Sequence, residues 1–307
     1  MDTKISEFNK YYKIDTDRLG PTGLLNQLIH LINALTLGHL TKRIIYNPTF
    51  LPNYNSLSSI PLSEIVDIDQ LNKVLAELKL NTQVQMGNNL DNCDWSIKYK
   101  GIFLFNNALE SIVNILAKDN DPYIDLGQLF AMYNTNHELL VIRANIHIDM
   151  PFKSQYYDIL DYCKSKYLDA KYNAVHLRLE DDWPHLGSKC NSPEESTNKI
   201  VDSYNNAMSQ LFSTYDTIFI ATHLLKSKNK NDWVMDEIKK KYPNCVHSIP
   251  WRDHFPDIPQ GREIDALVDY LICRNAEKFI GIWPSSFSII IDGIARIKGK
   301  STTLVTY

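Results

Sequence analysis

The sequence predicts an α/β fold made of two similar halves, each with a parallel sheet covered by helices. Segments with strand patterns alternate along the chain with segments whose apolar residues follow helical spacing. The length of 307 residues suits two domains of ordinary size. A composition of 44% hydrophobic and 22% charged residues is sufficient to fill two cores. We expect a ligand at the carboxyl ends of the strands, in a cleft between the halves.

The first predicted domain covers residues 1–155 and begins with a short strand, a loop and a long helix. Small residues in the loop before this helix, Gly20 and Gly23 among them, allow a ligand to approach the backbone. The segment 49–65 is rich in Pro, Asn and Ser and is predicted as a loop. The predicted strands are 11–15, 43–46, 101–105 and 139–143, and the predicted helices are 24–40 and 108–117.

The second predicted domain covers residues 156–307 and continues the alternation of strands and helices. Its predicted strands are 173–179, 217–222, 278–282 and 302–306. Its predicted helices are 196–213, 232–241, 262–276 and one that starts near Ser286.

Charge and cysteine content exclude several classes of protein. A net charge of −4 argues against a general binder of nucleic acid or of anionic membranes. Five cysteines without a C-x-x-C pair argue against a disulfide framework or a zinc ribbon. No secretory signal and no membrane-spanning apolar run are visible. We therefore expect a cytoplasmic protein without a nucleic-acid or membrane partner.

The strand 173–179 carries the most informative polar residues of the chain. Because side chains alternate along a strand, His176 and Arg178 lie on one face, opposite Val175 and Leu177. An imidazole and a guanidinium on a buried strand are costly unless a partner compensates them. A bound anion would pair with both, so the end of this strand is a candidate phosphate site.

A second candidate site is the turn after strand 278–282. Pro284 breaks the strand, and Ser285 or Ser286 is suited to cap the helix that follows. The first turn of a helix offers free N–H groups and a positive dipole end, which bind phosphate well. A capped helix without any ligand is equally compatible with this pattern.

Two acidic patterns are less specific. Asp265 and Asp269 are four residues apart on a predicted helix and therefore share one face. An acidic group there would accept hydrogen bonds from a guanine edge, although the spacing alone favours a solvated acidic stripe. Asp119 and Asp121 form a D-x-D pattern typical of metal-dependent glycosyltransferases, but we interpret it as a polar turn before Pro122.

Together these segments resemble the GDP-fucose-dependent fucosyltransferases of the protein O-fucosyltransferase superfamily. Residues 176–183 resemble the H-x-R-x-x-x-D-W element of that family, and 217–222 resemble its second strand. Residues 269–287 resemble its D…A-x-x-F-I-G-x-x-x-S-S-F block, and 23–27 its G-G-L-N-Q turn. Residues 50–150 match no motif, so the acceptor stays unidentified.

The resemblance implies a GT-B fold, with two Rossmann-like domains facing a central cleft, and inverting transfer of fucose from GDP-fucose to a hydroxyl of a glycan or protein. It implies no metal and no cofactor. Arg178 would bind the β-phosphate, and Asn26 would approach the reaction centre. The residues expected to bind the donor are Gly23, His176, Asp182, Thr222, Asp269, Ser285, Ser286 and Phe287.

The chain departs from the family pattern at two places. The family's second strand ends in A-T-D, whereas this chain has His223 at the last position. No residue is identified as the general base, since the spacing of Asp15 and Asp17 does not choose between them. Two alternatives therefore remain: a related enzyme with another deoxysugar donor such as rhamnose, and a homologue that binds nucleotide sugar without turnover.

Overall fold

The structure is a computed structural model that describes residues 10–14, 23–52, 59–87, 90, 93, 95–97, 102–103, 108–126, 129–130, 137–179, 193–222, 232–247 and 249–306. The chain divides into two compact units. The first unit comprises Met1–Ser154 and Pro259–Asp265, and the second comprises Gln155–Ile258 and Ala266–Tyr307. Each unit is built around a five-stranded parallel sheet.

The first unit contains nine described strands and four described helices. The strands are β1 (Tyr11–Lys13), β2 (Ile44–Tyr46), β3 (Thr49–Phe50), β4 (Ile60–Pro61), β5 (Val84–Gln85), β6 (Ser96–Ile97), β7 (Ile102–Phe103), β8 (Tyr123–Asp125) and β9 (Leu129–Phe130). The helices are α1 (Leu24–Thr41), α2 (Ile68–Glu77), α3 (Ala108–Lys118) and α4 (His137–Ile148).

The main sheet of the first unit has the strand order β5-β2-β1-β8-β6. All its pairs are parallel. Strands β2 and β5 lie on one side of β1, and β8 and β6 lie on the other, so the strand order reverses between β1 and β8. Helix α1 follows β1, and 13 of its 18 residues are buried, which makes it a core helix rather than an amphipathic surface helix. Its C-terminal end is closed by Lys42 in a left-handed conformation, whose N–H bonds to Gly38.

The strand predicted at residues 139–143 is wrong, because this segment lies within α4. A short apolar run fits a strand and a helix equally well when only its periodicity is considered. Helix α2 was not predicted, although Asp67 caps its start by accepting a hydrogen bond from Gln70 N–H, and its buried residues Leu71, Val74 and Leu75 keep helical spacing. Part of the segment predicted as a loop at 49–65 forms the antiparallel pair β3–β4.

The second unit contains five described strands and five described helices, of which α8 begins within the part assigned to the first unit. The strands are β10 (Asn173–His176), β11 (Ile218–Ala221), β12 (Cys245–Val246), β13 (Lys278–Ile282) and β14 (Ser301–Val305). The helices are α5 (Ser154–Tyr167), α6 (Pro193–Leu211), α7 (Asp232–Lys241), α8 (Arg262–Asn275) and α9 (Ser286–Ile297).

The sheet of the second unit has the strand order β12-β11-β10-β13-β14, with every pair parallel. The order reverses between β10 and β13, which are direct neighbours. Buried side chains of β10, β11 and β13 pack against α6 and α7 in one continuous core. In open α/β sheets, ligands bind outside the carboxyl ends of the strands at such a reversal, so the strand order alone indicates where a ligand belongs.

No helix in the described part of the chain is both long enough and apolar enough to cross a membrane.

Candidate active site

The reversal of strand order in the second sheet brings the two sequence motifs together. Ala174 and Val175 of β10 pair with Phe279 and Ile280 of β13, so the two strands run side by side to their carboxyl ends. His176 ends β10 and is followed after one residue by Arg178, while Ser285 and α9 follow β13. Two segments that are about a hundred residues apart therefore meet at one edge of the sheet.

His176 is a buried residue that is linked to α9 by a hydrogen bond. It is 7% exposed, and its Nδ1 lies 2.8 Å from Oγ of Ser288. The same Ser288 oxygen accepts a hydrogen bond of 2.9 Å from Ile282 N–H. With its oxygen already accepting from the backbone, the Ser288 hydroxyl is suited to donate to Nδ1, which favours the imidazole tautomer with its hydrogen on Nε2.

The environment of His176 keeps its imidazole neutral. Burial lowers its pKa to about 3, and the positive charge of Arg178 lowers that pKa in the same direction. The ring of Phe287 lies over the imidazole, with 4.3 Å between ring centroids. His176 is therefore expected to act near neutral pH as a fixed hydrogen-bonding group rather than as an acid or base.

The close contact between β13 and α9 depends on a glycine. A Cβ atom at Gly281 would lie 2.5 Å from both Cβ and Oγ of Ser288 and 2.9 Å from the ring of Phe279. Only a residue without a side chain lets Ser288 approach the strand closely enough to bond to Ile282. The glycine of the F-I-G motif thus has a packing reason in this structure.

Arg178 follows β10 in a turn that a tyrosine holds in place. The hydroxyl of Tyr204, a buried residue of α6, donates to the carbonyl of His176 at 2.6 Å and accepts from Arg178 N–H at 3.4 Å. Leu177 N–H continues the sheet by donating to Ala221. The strand therefore ends at His176, three residues earlier than predicted, and the backbone that carries Arg178 is fixed from two sides.

The start of α9 is arranged for something other than a serine cap. Ser285 is the N-cap residue and has an extended conformation, but its side chain makes no capping hydrogen bond. Ser285 is buried, whereas Ser286 and Phe287 in the first turn are partly exposed. The interpretation of this motif as an ordinary serine-capped helix therefore does not describe Ser285.

The other predicted donor residues lie on neighbouring elements of the second unit or outside the described residues. Thr222 directly follows Ala221, the register partner of His176. Asp269 lies in α8, next to Tyr270, whose ring meets that of Phe287 edge-on at 6.1 Å between centroids. Asp182, Asp15, Asp17 and His223 lie outside the described residues.

Gly23 and Asn26 lie at the start of α1 in the first unit. Gly23 is the N-cap residue, and its carbonyl accepts a hydrogen bond of 3.0 Å from Asn26 N–H. The first helical N–H, that of Leu24, donates at 2.5 Å to Oε2 of Glu263, a buried residue 239 positions later. The protein's own carboxylate thus occupies this helix start.

The D-x-D pattern at residues 119–121 forms a structural turn. Oδ1 of Asp119 accepts from Asp121 N–H at 2.9 Å, and Oδ1 of Asp121 accepts from Tyr123 N–H at 3.1 Å. Arg43, which is fully buried, donates to the carbonyls of both aspartates. Among the described residues, no group of three His, Cys, Asp or Glu side chains is placed to hold a metal ion.

Sequence reasoning missed three residues that hold the candidate site: Tyr204, Ser288 and Glu263. Tyr204 and Glu263 lie on helices outside every motif, and nothing local distinguishes them from core or surface residues. Ser288 offered a weak indication, since it lies one residue beyond the S-S-F motif. A polar residue on the buried side of a helix needs a partner, and this requirement alone could have drawn attention to it.

Two α/β units are typical of nucleotide-sugar glycosyltransferases of the GT-B class, and in the second unit Arg178 and α9 follow the two strands at the switch point. Comparison with known proteins assigns the chain to this class. Residues 64–298 match the family described as GDP-fucose protein O-fucosyltransferase, and the chain belongs to this family. It is therefore a glycosyltransferase, and the predicted enzyme class and the predicted α/β fold of GT-B type are confirmed, while the arrangement of two domains around a central cleft stays a prediction.

Solved structures agree with this assignment. POFUT1 in complex with GDP has 14% identity and a TM-score of 0.60, with 97% of this chain and 98% of that chain covered. The fucosyltransferase NodZ from Bradyrhizobium has 12% identity and a TM-score of 0.55, with 92% of each chain covered. At these identities the likeness demonstrates the fold. Comparison with curated protein sequences gives no significant match.

Proposed function

We propose that the protein is an inverting, metal-independent fucosyltransferase that moves fucose from GDP-fucose to a hydroxyl group of a glycan or protein acceptor. One observation carries the proposal: Arg178 and the start of α9, both suited to a pyrophosphate, follow the two strands that border the switch point of the second sheet. Family membership supports the donor, and both POFUT1 and NodZ have been crystallised with GDP and with GDP-fucose.

The charges at this edge suit the departure of GDP. In the proposed transfer, the bond from fucose C1 to the β-phosphate oxygen breaks, a bond from C1 to the acceptor oxygen forms on the opposite face, and the hydroxyl proton is released. Negative charge grows on the β-phosphate, where a guanidinium and helical N–H groups stabilise it. Each charge-assisted hydrogen bond contributes about 1.5–3 kcal/mol, so the protein can support departure without a metal.

The remaining residues take the roles that the resemblance to the family implies. His176 and Asp269 contact the guanosine, and Thr222 and Asp182 complete the donor site. Ser285, Ser286 and the backbone of Phe287 hold the pyrophosphate and nucleotide. The donor residues that the structure describes all belong to the second unit: His176, Arg178, Thr222, Asp269, Ser285, Ser286 and Phe287. Gly23 takes part in donor binding and Asn26 in the transfer step, roles supported by the resemblance of residues 23–27 to the family's G-G-L-N-Q turn.

Thermal shift measurements with GDP, GDP-fucose, UDP and a UDP-sugar test the donor. A ligand at a hundred times its dissociation constant stabilises the native state by about 2.7 kcal/mol. We expect the two guanosine compounds to raise the melting temperature, and stabilisation by UDP alone would refute the guanosine assignment. GDP-rhamnose in place of GDP-fucose in a transfer assay separates the two deoxysugars.

The same transfer assay, run with and without EDTA, tests metal independence. We expect equal rates, because the aspartates of the D-x-D pattern are engaged in their own turn. Loss of activity in EDTA that Mg²⁺ or Mn²⁺ restores would contradict the metal-independent mechanism. Binding of GDP-fucose without transfer or hydrolysis would support the alternative of a non-catalytic homologue.

A further inference from the structure

The start of α1 is held by a carboxylate that comes from a distant part of the sequence. Leu24 N–H donates to Oε2 of Glu263 at 2.5 Å, and Glu263 is only 2% exposed. Glu263 lies in the first turn of α8, within the segment 259–265 that belongs to the first unit. Because Gly23 has no side chain to cap the helix, the carboxylate replaces the cap that serine or aspartate usually supplies.

A closed series of hydrogen bonds holds this carboxylate. Gln27 of α1 clamps the backbone of Leu51, donating to its carbonyl at 3.1 Å and accepting from its N–H at 2.8 Å. The next carbonyl, that of Pro52, accepts from Glu263 N–H at 3.1 Å. Glu263 then returns to α1 through Leu24. The series therefore joins the first turn of α1, the segment 51–52 and the first turn of α8.

Gly261 shows that this arrangement has a specific sequence requirement. Its φ angle is +145°, and a Cβ atom there would lie 1.9 Å from the carbonyl oxygen of Pro52. No residue with a side chain fits without displacing Pro52 or the start of α8. A glycine at position 261 is therefore needed for Glu263 N–H to reach the carbonyl of Pro52.

Asn26 lies inside the turn that these bonds fix. Its N–H bonds to the carbonyl of Gly23, and its side chain is partly exposed, whereas its neighbours Leu25 and Gln27 are buried. The direction of the Asn26 side chain therefore depends on the conformation of the first turn of α1. Within the described part of the chain, the Gln27 clamp and the Glu263 carboxylate both hold that turn.

We propose that Glu263 is a positioning residue for the transfer reaction, acting by holding the first turn of α1, which carries Asn26. This inference rests on the proposed function, because it assigns Glu263 a part in fucosyl transfer through Asn26. Glu263 is too deeply buried to touch a substrate hydroxyl, so its effect on turnover passes through Asn26 and not through proton transfer.

A double-mutant cycle between Glu263 and Asn26 tests the proposal. In Glu263→Ala, we expect kcat for transfer from GDP-fucose to fall between tenfold and about a hundredfold, the range caused by displacing a reacting group by about 1 Å. The KM for GDP-fucose and the thermal shift with GDP are expected to stay within about twofold of wild type, because Arg178, Ser285 and Ser286 lie outside α1 and α8. In an Asn26→Ala background, Glu263→Ala is expected to change kcat less than about twofold, because residues that act as a unit are not additive.

Two further variants keep the test decisive. Glu263→Gln retains an acceptor oxygen for Leu24 N–H, so we expect it to restore most of the activity that Glu263→Ala loses. Glu77→Ala removes an exposed carboxylate at the end of α2 in the same unit and serves as the matched control. If Glu263→Ala does not fold, amide hydrogen exchange at Leu24 is measured in Glu263→Gln instead. We expect the Leu24 amide to stay protected from exchange in this variant, because the glutamine oxygen still accepts from it.

The outcomes distinguish this inference from the proposed function. An active wild type in which the Glu263→Ala and Asn26→Ala effects multiply independently overturns the positioning role alone. Equal kcat for wild type and Glu263→Ala would also overturn the positioning role alone. A wild type that binds no guanosine nucleotide and transfers no fucose overturns the proposed function and, with it, this inference. Unchanged Leu24 amide exchange in Glu263→Ala would contradict the cap itself.

Discussion

The starts of α1 and α9 differ in what satisfies their N–H groups. Both helices follow a strand that borders the reversal of strand order in its own sheet, β1 in the first unit and β13 in the second. At α1 the carboxylate of Glu263 accepts from the first helical N–H. At α9 the N-cap residue Ser285 makes no capping hydrogen bond with its side chain.

This comparison separates two uses of the same local structure. At the start of α1, the protein's own carboxylate accepts from the first helical N–H, in the same turn that carries Asn26. A helix start that its N-cap side chain does not satisfy retains donors for an external anion, as a pyrophosphate requires. The two short motifs G-L-N-Q and S-S-F therefore look alike as helix starts but differ in how they are capped, which is consistent with the proposed positioning role in one unit and the proposed anion binding in the other.

The largest effect is expected from removing the cation beside the α9 start. Arg178→Ala should lower turnover by roughly a hundredfold or more, since losing a charge-assisted hydrogen bond of about 2.7 kcal/mol corresponds to that factor. Steady-state kinetics with GDP-fucose measures the loss, and circular dichroism checks the fold. Arg296→Ala, which removes an exposed arginine of α9, is the matched control and should keep full activity. A fully active Arg178→Ala enzyme would refute the assignment of the carboxyl edge of the second sheet as the donor site.

The second prediction concerns the approach of α9 to its strand. Gly281→Ala places a Cβ atom 2.5 Å from Ser288 and should lower the free energy of unfolding by about 1–3 kcal/mol through overpacking. Gly293→Ala is the matched control, because a Cβ atom there meets nothing within 4 Å. The control should be neutral or stabilising by up to about 1 kcal/mol, since alanine favours a helix interior. Urea unfolding of both variants measures the difference, and equal stability would show that α9 can shift away from β13.

The third prediction uses the lowered pKa of His176. The folded-state pKa of about 3 lies below the ordinary value of 6.5, so between these values the unfolded state binds a proton that the native state does not. The stabilisation from keeping His176 neutral is complete above pH 6.5 and is lost as the pH falls toward 3, by at most about 1.4 kcal/mol per pH unit. Urea unfolding from pH 7 to pH 4, compared between wild type and His176→Gln, measures this slope. An identical slope in both proteins would contradict a buried neutral imidazole.

The smallest effect on stability is expected at Ser285, where it sharpens the contrast between the two helix starts. Because the Ser285 side chain makes no capping hydrogen bond, Ser285→Ala should change the free energy of unfolding by less than about 0.5 kcal/mol. The affinity for GDP should nevertheless fall about tenfold, the effect of one lost hydrogen bond of about 1.4 kcal/mol. Calorimetric titration with GDP measures the affinity. Unchanged affinity together with a large loss of stability would make this helix start an ordinary cap.

Much of the candidate site could be predicted from the sequence because its parts are local. The H-x-R strand end depends on alternation along a strand, and the S-S-F turn depends on a proline followed by serines, so each is readable within a few residues. Alternation of strands and helices similarly predicted parallel sheets. Local patterns failed where two structures share one pattern, as in the apolar run that became part of α4.

What the sequence by itself determined is the fold class, the family and the segments that carry His176, Arg178 and the starts of α1 and α9. Only the tertiary structure decided which residues hold them. Tyr204, Ser288 and Glu263 bond to partners that are 28, 112 and 239 positions away along the chain. The physical reason is that a hydrogen bond between distant segments depends on how strands and helices pack, and no local propensity or spacing encodes that packing.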